Sequence, residues 1–159
     1  MQIVRLTPDE GPRLRTIRLA SLLDAPDAFG STHAETASRP PESWRRQLET
    51  LATFVARIDD LDVGVVRGGP SPECAEEAFL FSMWVAPSAR GCGVGEALVA
   101  AVVEWARGAG FARVVLDVAD DNRPAIGLYA RLGFTPTGES GHLPPPRQHI
   151  REHRRALTV

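Results

Sequence analysis

Residues 80–95 read LFSMWVAPSARGCGVG: an apolar run from Leu80 to Val85, a short turn, then glycines at 91, 93 and 95 leading into a helical pattern. A helix start leaves about four backbone N–H groups without intrahelical partners, and together they carry roughly half a positive charge. Glycines beside such a start let the backbone come close to an anion, because no Cβ stands in the way. Arg90 adds a planar guanidinium suited to phosphate oxygens. Taken alone, a glycine-rich loop also fits an ordinary tight turn, so the flanking segments have to decide.

Downstream, Val94, Leu98, Val102 and Trp105 recur at helical spacing as far as Arg107, and Gly108 and Gly110 end the run. Ala112 to Val118 is a nearly continuous apolar strand. Strand, helix and strand at this spacing predict a right-handed parallel crossover, with the glycine loop at the carboxyl end of its strand, where α/β units bind ligands. Asn122 or Asp121 caps a short helix carrying Ala125, Ile126, Tyr129 and Leu132, which Gly133 stops. Phe134 to Gly138 then reads as a strand, and Gln148 to Thr158 as a final polar one.

Upstream, Gln2 to Leu6 reads as a strand. Thr7, Pro8 and Glu10 form a capping signature for a helix bearing Leu14, Ile17 and Leu23. Asp24 to Thr32 is turn-rich, and its Phe29, Ser31 and Thr32 are candidate substrate-binding residues; Phe29 serves equally well as a plug into the core. Pro40 and Pro41 open a second helix with Trp44, Leu48 and Leu51 on one side. Thr53 to Ile58 and Val63 to Arg67 predict a hairpin across Asp59 to Asp62, with GGPSPECAEE as a further turn before the strand Phe79 to Val85. The chain is expected to form a single domain over 1–159, with no internal repeat.

Composition narrows the partners. The 159 residues are 43% hydrophobic and 24% charged with a net charge of −2, which gives no broad basic surface and disfavours nucleic acid. The two cysteines, Cys74 and Cys92, do not make a disulfide framework, and a cytoplasmic location is expected. No run approaches a membrane span. The four histidines have no recognised metal spacing, so no metal is expected.

Three anion-binding folds carry a glycine loop between strand and helix. A nucleotide P-loop needs a lysine after its last glycine, yet all 18 cationic side chains here are arginines. A dinucleotide fold needs a glycine at the sixth position; counting from Gly91 that position is Glu96, and counting from Gly93 it is Leu98. The third fits. Arg90-Gly91-Cys92-Gly93-Val94-Gly95 matches an Arg/Gln-x-x-Gly-x-Gly/Ala pattern, and Asn122, Ala125, Tyr129, Gly133 and Phe134 follow at matching spacing. Together they resemble the GCN5-related N-acetyltransferase (GNAT) family, most clearly between Phe79 and Phe134.

That resemblance implies an α/β (α+β mixed-sheet) fold of about six to seven strands and about four helices, whose parallel fourth and fifth strands splay apart around acetyl-coenzyme A (acetyl-CoA). It implies that the loop amides from Cys92 to Glu96 hold the pyrophosphate, that Gly91 and Arg90 open the motif, and that the backbone at Trp84 and Val85 pairs with the pantetheine arm. Asn122 would contact the cofactor and Tyr129 would face its sulfur as a general acid. The implied activity is acetyl transfer from the thioester to an amine of a small molecule or peptide; a non-catalytic coenzyme-A-binding sensor is the alternative. Glu76, Glu77 and Asp117 are candidate bases, each equally readable as a solvated surface acid. Cys92, at a helix start, is a weaker candidate nucleophile. The acids Asp24, Asp27, Glu35, Glu73 and Glu76 would suit a cationic acceptor. Many family members dimerise, so homodimer and monomer stand as equal expectations.

Overall fold

The computed structural model describes residues 1–159. Seven strands form one sheet: β1 (Gln2–Arg5), β2 (Ala52–Ile58), β3 (Leu61–Pro70), β4 (Glu77–Val85), β5 (Arg113–Ala119), β6 (Thr135–His142) and β7 (Arg151–Thr158), in the order β1-β2-β3-β4-β5-β7-β6. Every neighbouring pair is antiparallel except β4 with β5. Five helices flank the sheet: α1 (Gly11–Asp24), α2 (His33–Ala37), α3 (Pro41–Thr50), α4 (Val94–Gly108) and α5 (Arg123–Arg131).

The parallel pair exists because α4 carries the chain back over the sheet between β4 and β5. Val94, Leu98, Val99, Val102 and Ala106 line the buried side of α4 at helical spacing and pack on Phe54, Val66, Leu80 and Leu116. The opposite face of the sheet is covered by α1 and α3, where Leu14, Ile17, Leu22, Trp44 and Leu48 meet Val55 and Val65. Adjacent β2 residues thus feed opposite cores, as a strand with both faces covered requires. Gly64 of β3 allows α4 to sit this close: a Cβ there would lie 2.9 Å from Leu98 Cδ1 and 3.1 Å from the Trp84 carbonyl oxygen.

Several elements depart from the sequence expectation. The β2–β3 turn is tighter, because Asp59 (φ 49°) and Asp60 (φ 64°) both adopt the left-handed region, which aspartate tolerates. Gly68, Gly69 and Pro70 extend β3 instead of belonging to the following turn. A 3-10 turn (Pro26–Ala28) and the short α2 follow α1, with Thr32 as the α2 cap: its hydroxyl accepts from the Glu35 amide at 3.2 Å. The most polar strand, β7, is interior, inserted between β5 and β6. Its arginines make this tolerable: Arg154 pairs with Asp117 at 2.9 Å, and buried Arg155 donates to the Phe134 carbonyl from Nη2 at 2.9 Å.

Candidate active site

The two parallel strands touch only at one end. Glu77, Ala78 and Phe79 pair with Arg113, Val114 and Val115, and beyond that the strands part. From Leu80 onward β4 therefore presents an edge of backbone N–H and C=O groups toward β5 without a strand partner there. A bulge sharpens the parting: Val65 pairs with Trp84 and Arg67 with Phe81, so Ser82 and Met83 share the space opposite Val66, and Ser82 adopts φ 55°. A serine in the left-handed region at a bulge is a strained feature of the kind found at ligand sites.

The opening is a cleft of about 1050 Å³ running between the two faces of the sheet. On the α4–α5 side lie Gly91, Gly93, Val94, Gly95, Asn122 and Tyr129; on the α1 side lie Arg18, Phe29, Ser31, Arg67 and Phe81, with Leu143 and Pro144 of the β6–β7 connection. Gly91 (φ 76°) and Gly93 (φ 80°) are both left-handed, and Gly93 is the N-cap of α4, so the loop turns its free amides outward at the positive end of a 15-residue helix. Nothing lies within 4 Å of where a Cβ would stand at either glycine; the left-handed backbone is what favours glycine there.

Arg90 is held rather than free. Its Nε donates to the Val85 carbonyl at 3.0 Å and its Nη2 to Asp24 Oδ2 at 2.5 Å, an oxygen that also accepts from Trp84 Nε1 at 2.9 Å. The Trp84 hydrogen bond first, then Arg90, hold the Asp24 carboxyl below its ordinary range. Asp24 thus fastens the end of α1 to the cleft edge and to the glycine loop. Glu96, in the first turn of α4, is paired with Arg131 at 2.9 Å.

Tyr129 is buried, its ring edge-on to Phe134 at 5.8 Å between centroids. Burial raises its phenol well above the usual value, so the hydroxyl stays protonated at every physiological pH. Asn122 caps α5, its Oδ1 accepting from the Ala125 amide at 3.3 Å.

The candidate bases separate. Asp117 lines the cleft but is held by Arg154 through two hydrogen bonds, at 2.9 and 3.1 Å. Glu76 and Glu77 lie at the other end of the β4–β5 pair, outside the cleft lining, and Glu77 is paired with Arg113 at 2.8 Å. Thr32 and Cys92 also lie outside the lining; Thr32 is committed to capping α2, and Cys92 is exposed. None of Asp24, Asp27, Glu35, Glu73 and Glu76 lines this cleft, although Glu73 lines a smaller polar hollow beside Asp117 and Glu152.

The sequence reading missed Glu152 of β7, which lines the cleft as well. Burial first, then the charges of Asp117 and Asp120, push its carboxyl up. It also missed Arg18 and Arg67, both buried, and Arg147, whose guanidinium donates to the Pro26 carbonyl and, at 3.0 Å, to the Gly30 carbonyl. Arg147 straps the loop after α1 to the β6–β7 connection and so shapes the α1 side of the cleft. No group of three or more His, Cys, Asp or Glu side chains is arranged to hold a metal ion, and no helix is long and apolar enough to cross a membrane.

A mixed sheet whose sole parallel pair splays open beside a helix-capped glycine loop defines an α/β protein with an anion nest at the mouth of a through-sheet cleft. The sequence matches the model of the acetyltransferase (GNAT) family over residues 19–134, and the chain belongs to that family. The family uses acetyl-CoA. Among relatives, human N-acetyltransferase 8B is 39% identical over 90 residues, covering 55% of this chain and 40% of that protein. A mycothiol acetyltransferase of Pseudarthrobacter chlorophenolicus is 32% identical over 123 residues, covering 75% of this chain and 37% of that protein. The chain thus spans about two fifths of the length of these curated relatives. Among solved structures, the ribosomal-protein-alanine N-acetyltransferase of Brucella melitensis superposes over 100% of both chains with a TM-score of 0.79 at 23% identity. A Salmonella typhimurium protein solved with its cofactor acetyl-CoA covers 99% of this chain and 93% of its own, with a TM-score of 0.77 at 21% identity.

Proposed function

We propose that the chain is an acetyl-CoA-dependent N-acetyltransferase that transfers the acetyl group directly from the thioester to an amine. The observation that carries this reading is the parting of β4 from β5 after Phe79 and Val115, beside the left-handed glycines that cap α4. The residues fit the cosubstrate: the loop amides from Gly91 to Glu96 would meet a pyrophosphate, and the β4 edge around Trp84 and Val85, which has no β5 partner and whose Val85 carbonyl also accepts from Arg90, would offer hydrogen bonds to the amides of a pantetheine arm. When bound, acetyl-CoA supplies an activated acyl group and a thiolate leaving group.

The remaining chemistry belongs to the protein. An amine of pKa about 10.4 is neutral in only about one molecule in a few thousand at pH 7, a cost of roughly 4.6 kcal/mol. Glu152 is the base this cleft supports best, directly or through a water, because its raised carboxyl brings its proton affinity closer to that of the amine. Asp117 is the weaker choice, since its charge is already engaged by Arg154. Tyr129, protonated and facing the cleft from α5, serves as the acid for the departing sulfur. A thiol of pKa about 8.5 leaves readily, so this contribution is modest. Arg90 acts through Asp24 and the Val85 carbonyl to hold the loop against the cleft edge.

Incubation with acetyl-CoA and a mixture of primary amines, followed by mass spectrometry of the amines, tests the reading. At least one amine gains the mass of an acetyl group at a rate proportional to protein; no acetylated amine from any class, with coenzyme A demonstrably bound, contradicts it.

A further inference from the structure

Two buried arginines on the α1 side of the cleft have no carboxylate. Arg18 of α1 is 3% exposed and Arg67 of β3 is 8% exposed, and neither takes part in an ion pair, although the other arginines of the site, Arg90, Arg131 and Arg154, all do. Arg18 has one side-chain hydrogen bond, from Nη1 to Ser21 Oγ at 3.3 Å, and its guanidinium lies 5.1 Å from the centre of the Phe29 ring. Arg67 donates from Nε and Nη2 to Ser82 Oγ and from Nη1 to Gln47 Oε1, 5.0 Å above the Phe81 ring. These neutral partners leave donors on both guanidiniums unused, and both side chains line the cleft.

The charges acting on the pair are themselves arginines. Desolvation, then Arg39, lowers the Arg18 guanidinium to about 10; desolvation, then Arg18 and Arg39, lowers that of Arg67 to about 9. Both remain charged at pH 7. An unpaired buried charge is costly, and two that repel each other are costlier still. Two guanidiniums without a counter-charge at the wall of a cleft suit an anionic ligand there. Such a ligand would be distinct from the pyrophosphate proposed for the glycine loop, because that loop and Tyr129 lie on the α4–α5 side and the arginine pair on the other.

We propose that Arg18 and Arg67 bind a carboxylate on the acceptor, so that the substrate is an amine that also carries a carboxylate, an amino acid in the broad sense. This rests on the acetyltransferase reading. Glu152, across the cleft on β7, supplies the opposite pole for the amine, and Phe79 and Phe81, stacked at 5.8 Å, lie between the poles. Two planar forks presenting paired N–H groups match the two oxygens of a carboxylate. Three strand spacings separate β3 from β7, about 14 Å of backbone bridged from both sides by long side chains, so ω-amino acids belong in the test beside α-amino acids.

The experiment measures binding to the protein saturated with coenzyme A, using matched product-shaped probes: N-acetylleucine against N-isopentylacetamide, and 4-acetamidobutyrate against N-propylacetamide. At least one carboxylate should bind about 30-fold more tightly than its neutral partner, and Arg18→Met and Arg67→Met should each cut that preference to about threefold or less. Both variants should keep the coenzyme A affinity; Arg18→Met should melt no lower than wild type, since it removes a buried charge with one long hydrogen bond, whereas Arg67→Met also strands Ser82 Oγ and Gln47 Oε1 and should melt lower. Should a methionine variant not fold, Arg18→Lys or Arg67→Lys keeps the charge and loses the fork, and must still reduce the preference. Equal binding of acid and neutral probes, a preference that survives both substitutions, or tighter binding of phosphoethanolamine than of every carboxylate overturns the proposal. Carboxylate preference without acetylation of any amine would refute the transferase reading and leave the anion site standing, whereas acetylation confined to amines without a carboxylate would do the reverse.

Discussion

Gly93→Ala isolates the glycine loop from the rest of the cleft. Gly93 has φ 80° and ψ 7°, and no atom lies within 4 Å of the place its Cβ would take, so the added methyl meets nothing and the cost is conformational. Alanine in the left-handed region costs roughly 1–2 kcal/mol, which for a chain of this size lowers Tm by about 2–8 °C if the loop keeps its shape. If the loop instead relaxes to a right-handed form, the amides it aims outward turn away. Each hydrogen bond lost to a charged phosphate costs about 1.5–3 kcal/mol, or about 10- to 150-fold in affinity. Calorimetric titration of coenzyme A and a thermal melt read the two outcomes together. Gly108→Ala is the control: it sits in the last turn of α4, its φ is not left-handed and a Cβ there meets nothing, so stability should hold or rise by about 0.4–1 kcal/mol with unchanged affinity. Gly93→Ala that melts and binds coenzyme A as wild type does would refute the loop's assignment.

Tyr129→Phe keeps the ring packed on Phe134 and removes only the hydroxyl; kcat should fall by about 10- to 100-fold with coenzyme A affinity unchanged, as steady-state kinetics and calorimetry will read. Glu152→Gln should lower the rate by about 100-fold or more and flatten the acidic limb of the pH–rate profile, which in wild type lies above the ordinary carboxylate range because Glu152 must lose its proton to act. The same raised carboxyl means that the folded state holds the Glu152 proton more tightly than the unfolded state. Wild-type stability therefore falls as pH rises from about 4.3 through the folded value, and Glu152→Gln should melt higher at pH 7 with the difference vanishing below about pH 4.

The half of the cleft proposed to hold the cosubstrate was legible because backbone geometry dictates its residue types. A left-handed N-cap calls for glycine, a cap at position 122 for an asparagine or aspartate, and a parallel crossover for an apolar helix, and each leaves a local mark in the sequence. Side-chain pairing across the fold leaves none. Asp24 joins Trp84, 60 residues away, and Arg154 joins Asp117 from a strand inserted between β5 and β6. That insertion carries Glu152 into the cleft, and in a polar run such as REHRR nothing local separates a cleft residue from a solvated one. Arg67, ending the run VGVVR, was the one available signal: an arginine in an apolar interior strand must find a partner or a ligand.

Single-turnover thiol release distinguishes direct acetyl transfer to the amine from a covalent intermediate on the protein. With acetyl-CoA bound, no thiol burst and no acetylated protein should appear until an amine is added, after which thiol and N-acetylated amine form in equal amounts, and Cys92→Ser behaves as wild type. A burst of thiol before any amine, with the acetyl group on Cys92, would contradict direct transfer; coenzyme A binding with no amine-dependent release would contradict catalysis altogether.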